Sequence, residues 1–430
     1  MERIGAAADS YDALYGLALE LRCPPLRADW PYCEPLAWEE IVAESECLEP
    51  WRQWPAPDLA KASENARAGF LGSVCGCMLG KPLEVNPSLA ELRKAGEAVG
   101  EWPIRDYVSG AFTAALGRVH ESSGSTLREN ISAVVADDDI HYTIIGMLLL
   151  EECGPAFTST DVFNKWGMNV PPLWTWGPER SKLLNAAIDG HHLFADSSLN
   201  DHHDVLLLNP GDELCGALIR ADAYGYACPG NPDLAAWLAW KDASFTHIKT
   251  GVYGAMFIAA LIALCQSADP LLTRNERLDI VKAALQRIPS RSRFAEVIRD
   301  SVDRVAGASD WLSGYWAIHG EYSQYSHCQV FQEIGTLINT LKFAESIDHG
   351  FCIQVSQGND TDSFGATAGS ILGCFFGPAY LDERWLLPFD NRIYHALADF
   401  HVYDLGGLAD RMSQLPEVVY AAVQGLELTR

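Results

Sequence analysis

An all-α bundle is the fold class this sequence predicts, and three observations carry that prediction. Long apolar runs with helical periodicity recur from about residue 66 onward. The β-branched alternation that a half-buried strand needs is scarce. Gly, Pro and Asn cluster between the runs, as in Pro229-Gly230-Asn231-Pro232.

In chain order, Ser10 to Arg22 predicts one amphipathic helix. The runs then fall at 66–80, 140–152, 212–227, 233–244, 250–266, 277–288, 294–306, 329–344, 363–376 and 391–413. Two of them share a detail: Gly72, Gly76 and Gly80 stand at every fourth position, and so do Gly365, Gly369 and Gly373. A glycine inside a helix costs about 1 kcal/mol against alanine, so six of them need a reason. Every fourth residue falls on one face, and a face without side chains lets backbones approach closely. Both helices are therefore expected at the crowded centre of the bundle. The apolar stretch Gly251 to Cys265 is too short to span a bilayer. Phe364 to Leu381 carries Thr367 and Ser370 behind an acidic loop. Both read as buried core helices.

Residues 1–60 differ from the rest and are read as a Trp-rich acidic N-terminal extension to a domain over 61–430. They hold Trp30, Trp38, Trp51 and Trp54, several prolines, and far more acidic than basic residues. The extension suits a structural wrap that lays tryptophans onto a core; a lid or a partner surface is the other reading.

Composition narrows the function. Of the 430 residues, 48% are hydrophobic and 20% charged, which supports a large core and opposes disorder. The formal net charge of -26 repels nucleic acid and anionic membrane, so neither is an expected partner. It also means that a phosphate-bearing substrate would need a local cation. The 12 cysteines form no CxxC pair and no zinc spacing, and the amino terminus has no secretory pattern. Free buried thiols in a cytoplasmic protein are the simplest expectation.

Two constellations carry chemistry. The first is Asp137-Asp138-Asp139, directly before an apolar helix. Aspartate also caps helices, but one suffices for that. The second is Gly358-Asn359-Asp360-Thr361-Asp362-Ser363, where D-x-D spacing turns both carboxylates toward one point. It is not an EF-hand loop. Facing loops would gather about five carboxylates, which cannot all stay ionised without cations. All-oxygen donors select Mg²⁺ or Mn²⁺ before zinc. Competing motifs fail: Gly76 to Pro82 has the wrong spacing for a P-loop, and no nucleophile elbow appears. The pairs His191-His192 and His202-His203 lie in a polar loop without zinc spacing. Trp174-Thr175-Trp176-Gly177-Pro178-Glu179-Arg180 suits either a stacking surface for a base or a core role.

These residues carry a resemblance. The chain resembles the ADP-ribosylglycohydrolase family, which includes the enzyme reactivating dinitrogen reductase and the ADP-ribosyl-acceptor hydrolases. The resembling elements are Gly76-Cys77-Met78-Leu79-Gly80-Lys81-Pro82-Leu83-Glu84, Asp137-Asp138-Asp139, Gly216-Ala217-Leu218-Ile219-Arg220-Ala221, Thr246-His247 and Gly358 to Ser363. Together they spread over roughly residues 66 to 415. The resemblance implies a compact orthogonal multi-helix bundle that binds two Mg²⁺ between the motifs, with Mn²⁺ as a substitute. It implies Asp360, Asp362 and Ser363 as ligands, Ser363 keeping the hydroxyl of the family's threonine. For the first motif, Asp138 and Asp139 are the preferred pair, with Asp137 in the threonine position; the alternative register pairs Asp137 with Asp138. Glu84 corresponds to a glutamate near the scissile bond, and His247 to a histidine near bound ADP-ribose. Asn359, in place of a glycine, narrows the loop and joins the expected substrate-binding set.

The expected activity is metal-dependent hydrolysis of the N-glycosidic bond of an ADP-ribosyl or related ribosyl conjugate, with Asp138 or Asp139 holding or deprotonating the water. The substrate would be a small molecule or a protein-linked group. Asp137 and Asn359 depart from the family pattern, which leaves room for an NAD-like or nucleoside-like metabolite. A non-catalytic ADP-ribose-binding module and a metal phosphohydrolase are the alternatives from other classes.

Overall fold

The computed structural model describes residues 10–21, 26–49, 53–188 and 205–427. The histidine pairs at 191–192 and 202–203, and Trp51, lie outside the described residues. Among the described residues the chain is helical, with isolated bridges and no sheet. The longer helices are α1 (Tyr11–Leu21), α2 (Trp38–Glu44), α3 (Leu59–Gly80), α4 (Leu89–Val99), α5 (Gly110–Leu116), α6 (Asp138–Cys153), α7 (Ser159–Asn169) and α8 (Gly177–Ile188). They continue as α9 (Pro232–Ala243), α10 (Lys249–Cys265), α11 (Arg274–Leu285), α12 (Arg293–Ala306), α13 (Trp311–Tyr322), α14 (Phe331–Phe343), α15 (Ile347–Ser356), α16 (Thr361–Phe376) and α17 (Leu405–Glu427).

The glycine-spaced helices α3 and α16 pack directly on each other in the middle of the bundle, as their spacing predicts. Gly80 faces Thr361, Gly76 faces Gly365, Gly72 faces Gly369, and Ala68 faces Gly373, so the two helices run antiparallel. A Cβ on Gly76 would lie 2.0 Å from the Gly365 carbonyl oxygen, and one on Gly369 would lie 2.0 Å from that of Gly72. No side chain fits between the backbones. Both helices are buried over nearly their whole contact length, and α15 and α17 close around them. The most apolar helix, α10, packs against α9 and α16. No described helix is long and apolar enough to cross a membrane.

Two runs read as helices differ in the structure. Residues 212–227 form turns and a short helix, Asp222–Tyr226, because Cys215 N bonds the Cys328 carbonyl (3.0 Å) and Arg220 turns inward. The helix expected over 391–413 starts only at Leu405. Before it, Ile393 bridges Val134 and Arg392 bridges Asp404, which takes the chain away from helix. The described residues between 34 and 54 of the N-terminal extension bond to α10, α12 and α9 with the loop before it. Tyr253 Oη donates to the Pro35 carbonyl (2.5 Å), Trp240 Nε1 to that of Leu36 (3.2 Å), and Trp54 Nε1 to that of Pro229 (3.0 Å). Arg293 is paired with Glu34 at 2.8 Å and Glu213 at 2.7 Å.

Two expectations follow. Gly369→Ala should lower the unfolding free energy by about 3 kcal/mol or more, through a forced separation of α3 and α16. Gly320→Ala, at a helical position with open space around it, should raise it by about 0.5–1 kcal/mol. Urea unfolding distinguishes the two; equal shifts would contradict the close-packed seam. The second concerns Asp222, beside the seam, whose carboxyl burial pushes up from 3.8 to about 7. The folded chain then holds a proton there that the unfolded chain has lost, so this stability is full below about pH 4 and lost as pH rises to about 7. Asp222→Asn should gain on the wild type steadily across that window, and a constant difference would refute the assignment.

Candidate metal and catalytic site

Three chain elements converge at one end of the α3–α16 seam. The first is the end of α3, where Gly80 leads into Lys81 and Glu84. The second is the start of α6, where Asp137 is the N-cap and accepts from Asp139 N at 3.1 Å. The third is the loop entering α16, where Asp360 is the N-cap. Thr361 Oγ1 donates to the Gly80 carbonyl at 2.8 Å and ties the first element to the third. The positive ends of α6 and α16 thus both point at a carboxylate cluster.

The loop is held from two sides. Gly358, at φ +83°, leaves no space for a side chain, since a Cβ would meet the Pro87 carbonyl oxygen at 2.2 Å. Ser88 bridges Gly358, and Asn359 N donates to the same Pro87 carbonyl at 2.8 Å. On the other side, the Glu333 carboxylate accepts from Cys328 N (3.2 Å), Val330 N (3.3 Å) and Asp360 N (3.2 Å). Val330, a β-branched residue, sits at φ +66°, a strained conformation that these bonds maintain. Burial first, and then Asp360, hold Glu333 well above the usual carboxylate range. The thiols of Cys215 and Cys328 lie 3.6 and 3.4 Å from Asp360 Oδ2.

At the centre sits Lys81. Its Nζ lies 2.6 Å from Glu84 Oε2, 2.8 Å from Asp137 Oδ2 and 2.8 Å from Asp362 Oδ2. Burial opposes its charge, but Asp137, Asp362 and Glu84 outweigh it and hold the ammonium well above its ordinary pKa. Burial disfavours the charged form of Asp362, but Lys81 outweighs it and draws that carboxyl below its ordinary pKa. Burial and then Asp137 push both Asp138 and Asp139 well up. Burial and then Asp362 push Asp360 up to about 7 and Glu84 to about 10. His120 Nε2 lies 3.4 Å from Glu84 Oε2 on the outer side.

Of the residues singled out in the sequence, Asp137, Asp138, Asp139, Glu84, Asp360, Asp362 and Ser363 meet here. Ser363 bonds Asp360 through its side chain. Carboxylate oxygens of Glu84, Asp360 and Asp362 lie within 4.8 Å of one another. Asn359 stands at φ +63° beside them, its Nδ2 buried and without a hydrogen-bond partner. His247 is elsewhere. It is fully buried, 2.7 Å from Thr246 Oγ1 and 3.6 Å from Glu179 Oε1, in a network around Arg220. Arg220 also binds Glu179, Asp242 (2.5 Å) and Thr246 (2.8 Å) and lies over the Trp166 ring. Trp174 and Trp176 are 46% and 55% exposed, so they are surface rather than core. Sequence reasoning missed roles for Lys81, His120 and Glu333. Lys81 had a signal, as a cation directly before Pro82 and three residues before Glu84 in an acidic chain; Glu333 had none.

The donor set suits a hard divalent cation. Both carboxylate oxygens of Asp139 and Oδ1 of Asp362 are buried without a hydrogen-bond partner. Unpaired buried carboxylate oxygen is costly, and a cation relieves it. Cys77 lies beside Asp137 and Asp139, but burial and those carboxylates raise its pKa well above 9, which keeps it a neutral thiol.

Two comparisons with known proteins found a match. A sequence profile described as ADP-ribosylglycohydrolase matches residues 58–421. A solved structure titled ADP-ribosylglycohydrolase-related protein complex superposes with a TM-score of 0.52 at 17% identity, covering 84% of this chain and 99% of that one. At that identity the likeness concerns the fold. No curated protein sequence matches the chain.

Asp139→Asn tests the crowding of charge. At pH 8 in chelator the variant should be more stable than the wild type by on the order of 1 kcal/mol. Added Mg²⁺ should raise the wild-type melting temperature and leave that of the variant unchanged. A variant that is less stable in chelator would refute the reading.

Proposed function

The chain belongs to the ADP-ribosylglycohydrolase family, and from that premise we propose that it is a metal-dependent hydrolase of an N-glycosidic bond to ribose. Its substrate is an ADP-ribosyl or related ribosyl conjugate. The observation that carries this reading is the convergence of six carboxylates from three elements, with buried oxygens of Asp139 and Asp362 left open.

Asp139, Asp360, Asp362 and Ser363 would hold a Mg²⁺ or Mn²⁺ ion, which would supply Lewis acidity and an anchor for ribose hydroxyls. The rest falls to side chains. Asp138 is the member of its triad that is not fully buried, so it holds the attacking water and takes its proton. The water oxygen bonds to the anomeric carbon as the C–N bond breaks, and the proton passes on to the departing nitrogen. The surrounding carboxylates stabilise the positive charge that develops on the sugar. Glu84, 36% exposed, lines the entrance and orients the ribose. Asn359 offers an unused amide donor to a substrate hydroxyl or carbonyl. Exposed Trp174 and Trp176 offer a stacking face to the leaving base or the adenine.

A second reading, a non-catalytic ADP-ribose-binding module, is favoured by one observation: Lys81 already contacts three of the carboxylates. A single screen separates the two. The chain is incubated with Mg²⁺ and ADP-ribosyl-arginine, ADP-ribosyl-serine, NAD or simple nucleosides, and products are read by mass spectrometry. At least one conjugate should release its ribosyl product, with the rate falling 100-fold or more in chelator and in Asp360→Ala or Asp362→Ala. A full rate under any of these conditions would sink the metal-dependent reading. Tight ADP-ribose binding with no turnover would select the binding module.

A further inference from the structure

The geometry points to Lys81 as a tethered cation that takes one cation position of the cluster, so that the chain binds a single divalent ion rather than a pair. This rests on the metal-dependent reading above and refines it.

An ammonium has three donors and no acceptor. Lys81 donates to Glu84 Oε2 at 2.6 Å and Asp362 Oδ2 at 2.8 Å, and its Nζ is ion-paired with Asp137 Oδ2 at 2.8 Å. The nitrogen therefore links the first aspartate motif, through Asp137, to the second, through Asp362. An ion that bridged the two motifs through the same oxygens would compete with it directly. Mg²⁺ sits about 2.1 Å from its ligands, so an ion on those three oxygens would have to expel the ammonium. Lys81 is not free to retreat. Its backbone N–H caps α3 by bonding the Cys77 carbonyl, and α3 ends against Thr361 at the closest part of the seam. Its side chain is 11% exposed.

The buried oxygens of the cluster without a hydrogen-bond partner are Oδ2 of Asp137, which Lys81 faces as an ion pair, both oxygens of Asp139, and Oδ1 of Asp362. The Asp139 oxygens and Asp362 Oδ1 lie outside the ammonium's contacts and are left to one exchangeable ion. Asp137 belongs to this arrangement as the lysine's counter-charge, which accounts for a third aspartate in the first motif. The site then carries one fixed charge, supplied by the chain, and one exchangeable ion.

The test is a Mn²⁺ titration of the full chain, read as bound metal by equilibrium dialysis and as coupling by electron paramagnetic resonance. The wild type should bind one Mn²⁺ per chain with a mononuclear spectrum. Lys81→Met should gain a second ion and show exchange coupling, while Lys81→Arg, which keeps the cation, should stay at one. Thermal melts with Mn²⁺ present establish that each variant is folded. Two ions in the wild type, or no second ion in a folded Lys81→Met, would overturn the assignment while leaving metal-dependent hydrolysis intact. Absence of Mn²⁺ binding in every variant would instead overturn the metal-dependent reading, and this one with it.

Discussion

The contact between α3 and α16 is the constraint on which the rest of the structure depends. Two helices can share a backbone-to-backbone interface only where no side chain intervenes, and here glycine recurs at every fourth position on both. Each glycine costs helix stability that alanine would have kept, so the seam is stable only because close packing and burial return more than that. Its antiparallel sense has a functional consequence. It brings the end of one helix, with Lys81 and Glu84, to the start of the other, with Asp360 and Asp362. Because interiors are close-packed and stiff, a seam without slack holds those four side chains in fixed relative positions.

Around that end the electrostatics are severe. Six carboxylates and one ammonium share a largely buried space, and several of the acids are pushed toward their neutral forms by burial and by one another. Such a cluster is a liability for folding and useful for binding cations, the trade expected of a functional site. The support is polar and specific. Glu333 holds a strained Val330 and the Asp360 backbone at once, and the Pro87 carbonyl and Ser88 pin Gly358 and Asn359. Small shifts in any of these would move the carboxylate oxygens of the cluster.

The Arg220 network is a second buried polar centre, and it looks inward. Glu179, Asp242 and Thr246 satisfy one guanidinium that is itself fully buried, and His247 sits against Glu179 and Thr246. Removing one partner of such a network leaves a buried charge uncompensated, so its members are bound to one another structurally. Tyr142 feels both centres: burial first, then Asp138 and Glu179, raise its phenol's pKa, and Arg220 opposes them. The His247 ring is fixed by this inner network rather than by the carboxylate cluster.

What the sequence by itself determined was periodicity and local chemistry. The helical class, the central place of the two glycine-spaced helices, and the two aspartate clusters at helix starts were all readable, because each rests on spacing within one short segment. The helix expected over 391–413 was misplaced, since Ile393 and Arg392 are taken by long-range bridges to Val134 and Asp404 that no local pattern reports. Only the tertiary structure decided what meets what. Lys81 stands 56 residues before Asp137 and 281 before Asp362 in the chain, and nothing in its own segment marks it as their partner. The seam makes the contact, because it leaves the α3 terminus nowhere to lie except against the first turn of α16. Glu333 shows the same limit: a glutamate in the first turn of an ordinary helix becomes the support of the site only through backbone groups five and 27 residues away. Charge and spacing are local properties, whereas the cation environment of a site is set by packing between distant elements.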